Sequence, residues 1–528
     1  MSDPIAEAGI ERLRAVPDVQ VDVRTGLKPE ELKAVIGEYS ALAVRSETKV
    51  TAEILAAADK LQIIGRAGVG VDNIDVAAAT QRGVVVVNSP DGNTLAAGEL
   101  TVALILSLAR KIPQAAASLR EGKWERKRFV GSELYGKTAG IIGLGKIGRV
   151  VAQRLAAFEV TLISYSPYVT ADSARQVNVE LVSLEELCER SDFITIHTPL
   201  TEETRGMIGA AQFDMMKPGI RIVNVARGGI VDEAALAEAV KSGRVAGAAF
   251  DVYSTEPPKP DNPLFQSPEN VLTPHLGAST AEALINVGID VADQIADVLQ
   301  GLPPRSAVNM PALSAEELNR LGPYLTLGIK LGSLQTQLAG DAARRGKSID
   351  RVEITFSGDY AGLSTETITR SVLQGLLTPM QPEPVNLVNA LVRAQARGIE
   401  VTETHAHRSH GFERLLTVRA YAPDGGHTIS GAISARDCRI VRIDDYLVDI
   451  PPHGHMLVTQ HIDQPGIIGR VGTLLGENSI NIAGMHVGRE KIGGRAIMVL
   501  LIDSPLSGQL LQRIREICGI ESAQLVSL

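Results

Sequence analysis

Two sets of residues in this chain have the types and spacing to do chemistry. The first is Gly143-Leu-Gly145-Lys146-Ile147-Gly148. In such a turn the first glycine reverses the chain, the second admits a pyrophosphate against bare backbone, and the third lets helix approach strand. The following helix, read over residues 146–157, then offers free N–H groups and a positive dipole end to phosphates. Glycines that merely make turns are the alternative. The strand-like run before them, Thr138–Ile142, favours a dinucleotide site.

The second set is Arg227, Glu256 and His275, each placed at or after an apolar run. Glu256 precedes His275 by nineteen positions, a loop long enough to return carboxylate to imidazole. Such a pair orients the ring and suits it to exchange a proton with a hydroxyl or carbonyl oxygen. A guanidinium at Arg227 could hold a carboxylate through two hydrogen bonds and polarise a neighbouring carbonyl. Each also has a plainer reading: a packed histidine, a solvated loop charge, a surface ion pair. Spacing alone leaves both open. Where a ribose-binding acid is expected, about 20 residues past the glycines, the chain has Ser166. Serine can bond a ribose hydroxyl but does not repel a 2′-phosphate, and no arginine follows to attract one. NAD is therefore the expected cofactor, with weaker discrimination against NADP.

Other clusters read as structure. His405, His407 and His410 alternate on a strand-like segment without cysteines or paired carboxylates, so they form a polar sheet face and no metal is expected. Arg344-Arg-Gly-Lys347 is a solvated turn, and Cys188 lies on the apolar face of a helix.

The elements that must position these groups alternate short apolar runs with helical patterns, the mark of α/β folding on parallel sheets. Strands are expected at 42–44, 63–65, 84–88, 138–142, 161–164, 193–196, 221–224, 247–250 and 271–273. A dinucleotide domain normally opens on its glycine turn, so the strands before residue 138 belong to another domain. Helical patterns at 96–108 and 281–299 carry the chain across. The second opens on Ser279-Thr-Ala-Glu282, a capping-box spacing. The outer, flavodoxin-like lobe is thus discontinuous, residues 1–95 plus 281–305, with a Rossmann domain inserted at 96–280 and a cleft between them. A proline-rich link at 303–311 leads to an α+β middle domain at 312–450. Residues 455–528 then read strand, helix, strand, strand, helix, strand, the ferredoxin-like order.

Composition agrees with this division. The 528 residues carry a net charge of −9 and are 45% hydrophobic and 21% charged, which excludes wholesale disorder and a general nucleic-acid binder. Three scattered cysteines fit a reducing compartment, and neither a signal segment nor a membrane-spanning run is visible, so a cytoplasmic enzyme is expected.

Taken together, Gly143–Gly148, the segment Asn224-Val-Ala-Arg-Gly-Gly-Ile-Val-Asp232, Glu256 and His275-Leu-Gly-Ala-Ser-Thr280 resemble the D-2-hydroxyacid dehydrogenase superfamily. Arg45-Ser-Glu-Thr-Lys-Val-Thr51, the run from Gly65 to Asp75 and Trp124–Gly131 resemble its branch acting on 3-phospho-D-glycerate, and the C-terminal block resembles an ACT regulatory domain. The resemblance spans essentially the whole chain. It implies NAD-linked oxidation at C2, the step that commits carbon to serine synthesis. His275 is then the acid/base, Glu256 its partner and Arg227 the anchor of the substrate carboxylate and carbonyl. Arg45 and Arg126 would approach the phosphate, and the Gly68–Val69–Gly70 backbone the carboxylate. Besides the glycines and Ser166, the cofactor site would comprise Val69, Lys146, Ile147, Thr198, Val225, Ala226, Asp251 and Gly277. In the ACT block His461, Asp463 and Asn481 would hold L-serine as feedback inhibitor, and a homotetramer is implied. Two features depart from the family: Ser166 replaces the usual aspartate, and the first strand is truncated. The rival functions are a hydroxypyruvate or glyoxylate reductase and a nucleotide-sensing regulator on the same fold.

Overall fold

The structure, a computed structural model, describes residues 1–340, 349–409, 411–422, 426–434 and 437–528. His410 and the run 344–347 lie outside the described residues. The outer lobe is built on a parallel sheet of three strands, β1 (Ala41–Val44), β2 (Ile63–Arg66) and β3 (Val85–Asn88), in that order. Alternate residues along each strand face opposite ways, and both faces are covered. Ile64 and Val86 meet Leu32, Ile54 and Leu55 on one side; Ile63 and Val87 meet Leu13, Val291 and Ile295 on the other. The second cover is the helix Ala281–Leu299, which reaches this sheet from beyond the nucleotide domain. Gly65 permits that approach, since a Cβ there would lie 2.5 Å from Val291. Residues 1–3 run beside β1, with Ser2 N donating to Ala43 O and Arg24 N to Met1 O.

Two sequence expectations change here. The helix at 281 is capped by Thr280, whose hydroxyl accepts from Ala283 N, one residue later than the Ser279–Glu282 box predicts. The proline-rich link is also more than a tether. Ala307 bridges Val87, Val308 N donates to Val86 O, and Asn309 bonds Val86 N, Thr80 and Val84 O. Proline at 303 and 304 removes donors only ahead of this paired stretch.

The inserted domain is a seven-stranded parallel sheet. Its strands are β4 (Thr138–Ile142), β5 (Thr161–Tyr165), β6 (Glu180–Leu181), β7 (Phe193–Ile196), β8 (Ile220–Asn224), β9 (Val245–Phe250) and β10 (Val271–Leu272), in the order β10-β9-β8-β7-β4-β5-β6. Chain direction across the sheet switches between β4 and β7, the place where a doubly wound sheet opens a crevice at its C-terminal edge. The glycine turn leaves β4 directly into that crevice.

The middle region packs the helices Ala315–Leu338 and Thr365–Leu377 on one face of a six-stranded sheet. Its strands are β11 (Arg351–Gly358), β12 (Glu400–Ala406), β13 (Arg414–Tyr421), β14 (Thr428–Ser434), β15 (Asp437–Ile443) and β16 (Tyr446–Ile450). The order is β12-β11-β13-β14-β15-β16, so β12 is an edge, and on it His405 stacks against Phe356 with ring centres 5.4 Å apart. This region touches the outer lobe where Asn386 Nδ2 donates to the carbonyl of Gly83 at 2.8 Å.

The last block is an antiparallel sheet of β17 (His455–Ile462), β18 (Ile482–Arg489), β19 (Arg495–Ile502) and β20 (Ile520–Ser527), in the order β18-β19-β17-β20. Its two helices cover one face. The other face, with Met456, Val458, Ile497, Val499 and Val526, joins the core of the middle region. Gln337 fastens the contact, donating to Ser527 O and accepting from Ser527 N. Among the described residues, no helix is long and apolar enough to cross a membrane.

Candidate active site

At the glycine turn each glycine does a different job. Gly143 takes φ +93°, and a Cβ there would sit 2.7 Å from His197 O. At Gly148 a Cβ would lie 2.1 Å from Gly143 O, so only glycine lets the helix Lys146–Ala156 start this close to β4. Gly145 faces open space, with nothing within 4 Å. That opening at a helix N-terminus fits a pyrophosphate. Thr198, after β7, adds a buried hydroxyl that has no hydrogen-bond partner among the described residues, beside Gly143. Ser166 directly follows β5 and accepts from Leu144 N at 3.2 Å, which leaves its own proton free for a ribose oxygen. Val225 and Ala226 follow β8, with Ala226 N held by Asn224 at 3.0 Å. Lys146 points instead across the cleft, 2.6 Å from Asp91.

His197 closes the floor of this turn. Burial pushes its imidazole down to about 3, and the neutral ring shares a 2.9 Å hydrogen bond with Thr195 Oγ1. Above pH ~6.5 the ring is neutral folded or unfolded and contributes no pH dependence. As pH falls below that value the unfolded chain takes up a proton the folded one refuses, and stability drops by up to about 1.4 kcal/mol per pH unit. A His197→Gln variant should therefore show a shallower loss of melting temperature from pH 6.5 downward; an unchanged slope would exclude this group as its source.

The second set assembles at the C-terminal ends of β9 and β10. His275 Nδ1 lies 2.6 Å from Glu256 Oε2, and Glu256 Oε1 accepts from Tyr253 N at 3.0 Å. Burial pushes the Glu256 carboxyl up, but the His275 hydrogen bond and charge, the Tyr253 N–H and Arg227 together bring it below the usual carboxylate range. An ionised carboxylate can only accept, so Nδ1 carries the shared proton and Nε2 is left for a substrate. His275 has φ +54°, a conformation that needs support. Asp251, fully buried, supplies it. Its carbonyl accepts from His275 N, and its carboxylate from Leu276 N, Gly277 N and Thr273 Oγ1. Three of about four acceptor positions on that carboxylate are thus spent on the histidine loop.

The cations line the same cleft, Arg227 from the nucleotide domain beside this pair, Arg66 and Arg45 from the outer lobe. Arg227 leaves β8 through a turn tied by Asn224, whose Nδ2 donates to Arg227 O. A Cβ on Gly70 would fall 2.1 Å from Arg227 Nη2, so the Gly68–Gly70 loop and this guanidinium face each other directly. Gly68 is similarly filled by Arg66, 1.6 Å from where its Cβ would be. Arg66 is a residue that motif reasoning misses. Its Nε is buried with no partner among the described residues, and burial, helped by the charge of Arg227, lowers its pKa to about 10. Arg45 contributes to the same field. Its loop is braced by the buried Asp3, which accepts from Arg45 N and Thr48 N, and by Asn73, which donates to Arg45 O and Thr48 O. Asn88 fixes Val69 by donating to its carbonyl at 2.6 Å. Arg126 stands apart: it is exposed in the turn Arg126–Phe129, and among the described residues no ion pair joins it to this cluster.

The effector candidates do not converge within one chain. His461 is buried at the end of β17, and Asp463 accepts from Gly493 N beside Arg489. Asn481 donates to Asp503 at the start of β18. Strand register puts His461 against Ala496 and the Asn481 end against Ile502, opposite ends of β19 and about 20 Å apart.

An acid/base pair, a cluster of arginines and a dinucleotide turn meeting in one cleft define a dehydrogenase of 2-hydroxy acids. Residues 102–277 match the family model described as "D-isomer specific 2-hydroxyacid dehydrogenase, NAD binding domain". Residues 320–444 match the "D-3-phosphoglycerate dehydrogenase intervening domain" and residues 455–519 the ACT domain. A D-3-phosphoglycerate dehydrogenase of Archaeoglobus fulgidus is 47% identical over 100% of this chain and 99% of its own. One from Synechocystis is 46% identical over 100% and 94%. A crystal structure from Thermus thermophilus aligns with a TM-score of 0.54 and 33% identity, over 58% of this chain and 98% of its own. The chain belongs to the D-3-phosphoglycerate dehydrogenase family and is an NAD-dependent dehydrogenase.

Proposed function

We propose that this enzyme oxidises the C2 hydroxyl of 3-phospho-D-glycerate to the ketone of 3-phosphooxypyruvate, with His275 as the base. The observation that carries this reading is the 2.6 Å His275–Glu256 pair, with Arg227 beside it on the nucleotide domain and Arg66 and Arg45 facing it from the outer lobe. Bound NAD supplies the hydride acceptor. His275 Nε2 takes the hydroxyl proton, and Glu256 stabilises the imidazolium that results. Arg227 holds the C1 carboxylate and offsets charge at the C2 oxygen; Arg45 and Arg66 meet the phosphate, and Arg126, set apart in its exposed turn, would have to move in to join them. Asp251 acts through His275, as a positioning residue. Catalysis on this reading needs residues 1–95, 281–305 and 96–280, and the remainder serves control and assembly.

The same reading makes L-serine the effector, its ammonium on Asp463 and its carboxylate near Asn481 and His461. Because these residues lie at opposite ends of one sheet, a single serine would have to bridge two copies paired antiparallel through the edge strand β18. That supports a homo-oligomer, read here as a tetramer. The test is a matrix of 2-hydroxy acids against NAD and NADP, with and without serine. The expected result is preference for 3-phospho-D-glycerate and NAD, with serine inhibiting. A preference for glyoxylate or hydroxypyruvate in the reductive direction would replace the substrate assignment. Asn481→Ala should remove serine inhibition while leaving uninhibited turnover at its wild-type level; retained inhibition would move the effector elsewhere.

A further inference from the structure

Arg227 is already occupied by a carboxylate of the chain itself. Its Nε lies 3.3 Å from Asp72 Oδ2, while its Nη1 donates to Ala226 O at 2.8 Å. Asp72 belongs to the outer-lobe loop that carries Gly68 and Gly70, and Arg227 to the loop after β8. The pair therefore crosses the cleft in which the substrate must bind. The two partners differ in freedom: the Asp72 side chain is 75% exposed and that of Arg227 29%. The other carboxylate acting on this cluster, Asp3, is buried and committed to the N–H groups of Arg45 and Thr48. Asp72 makes no such backbone contacts among the described residues. It is the acid here that can leave without breaking the loop.

We propose that Asp72 is a resident carboxylate that holds Arg227 until the carboxylate of the substrate replaces it, and so sets which anions the cleft accepts. The idea rests on the reading of Arg227 as the carboxylate anchor. Physically, Asp72 stands in the position of a competing ligand tethered at high local concentration. An incoming molecule must present a carboxylate to Arg227 to displace it. A phosphate alone gains Arg45 and Arg66 but finds Arg227 neutralised, so inorganic phosphate is a poor competitor. Exchange of one carboxylate for another also keeps the charge on Arg227 balanced, while Asp72, released, frees the two lobes to settle around the substrate.

The test is steady-state kinetics on the full-length chain with Asp72→Asn and Asp72→Ser. An ion pair this exposed is worth a modest amount, so KM for 3-phospho-D-glycerate should fall about two- to fivefold in both variants, with the gain in kcat/KM carried by KM. The inhibition constants of glycolate and of inorganic phosphate should fall with it. The Arg227→Gln variant is the control: it should raise KM sharply, and adding Asp72→Asn to it should give no further gain. If Arg227→Gln raises KM but KM and both inhibition constants stay or rise in the two Asp72 variants, the resident-carboxylate proposal is overturned and the anchor stands. If Arg227→Gln leaves KM at its wild-type value, the anchor itself is wrong, and the proposal falls with it.

Discussion

Replacing His275 by alanine is expected to lower kcat by about three orders of magnitude, the range measured when a general base is removed. The loss follows from geometry. Glu256 lies behind the ring, and Arg227 and Arg66 are cations that cannot take a proton. Among the described residues no other base is hydrogen-bonded to this pair, so water would have to serve. Cofactor binding should stay near normal, because among the described residues no hydrogen bond joins the glycine turn, Thr198 or Ser166 to the His275 side chain. Stopped-flow NADH formation read against an NADH fluorescence titration separates the two effects. Turnover within tenfold of wild type would remove His275 from the proton transfer.

Gly145→Val should abolish activity by a different route. A Cβ at Gly145 meets nothing within 4 Å, so the variant should fold and melt as the wild type does. The valine would stand where the pyrophosphate must lie against backbone, and a displacement of about 1 Å at such a site costs on the order of a hundredfold. The expected result is a loss of NAD affinity of at least about that size with the melting temperature unmoved. Gly148→Val provides the contrast, since its side chain would strike Gly143 O and damage the fold itself. A Gly145→Val enzyme that binds NAD normally would show that the cofactor does not cross this turn.

What the sequence makes legible here is local. Strand runs rich in Val and Ile, glycine spacing and the nineteen-residue interval from Glu256 to His275 all survive in the structure within a residue or two. Each is set by neighbours along the chain. Arg66 was not legible, because nothing in its own segment marks it; its role comes from Gly68 beneath it and from Arg227, 161 positions away. The braces were hidden for the same reason. Asp3 meets Arg45 and Thr48 over more than forty positions, and the part Asp251 plays in holding the His275 loop spans more than twenty. The separation of Asp463 from Asn481 is a matter of strand direction: β17 and β18 both run antiparallel to β19, so the end of one and the start of the other lie at opposite ends of the sheet. Paired residues 307–309 disguise themselves as a linker because prolines precede them.

The Pro451–Gly454 segment divides the chain as text but not as material. On its far side Met456, Val458, Ile497, Val499 and Val526 sit in one core with Leu331, Leu334 and Phe356 on its near side. The C-terminal block is therefore not a cassette. Excised at that segment, it would leave two matching oily surfaces facing water, each a seed for aggregation. Grafted onto another enzyme, it would arrive without the wall it leans on. The two halves are built to melt together, and any movement of the strands in one is pressed straight onto the long helix of the other.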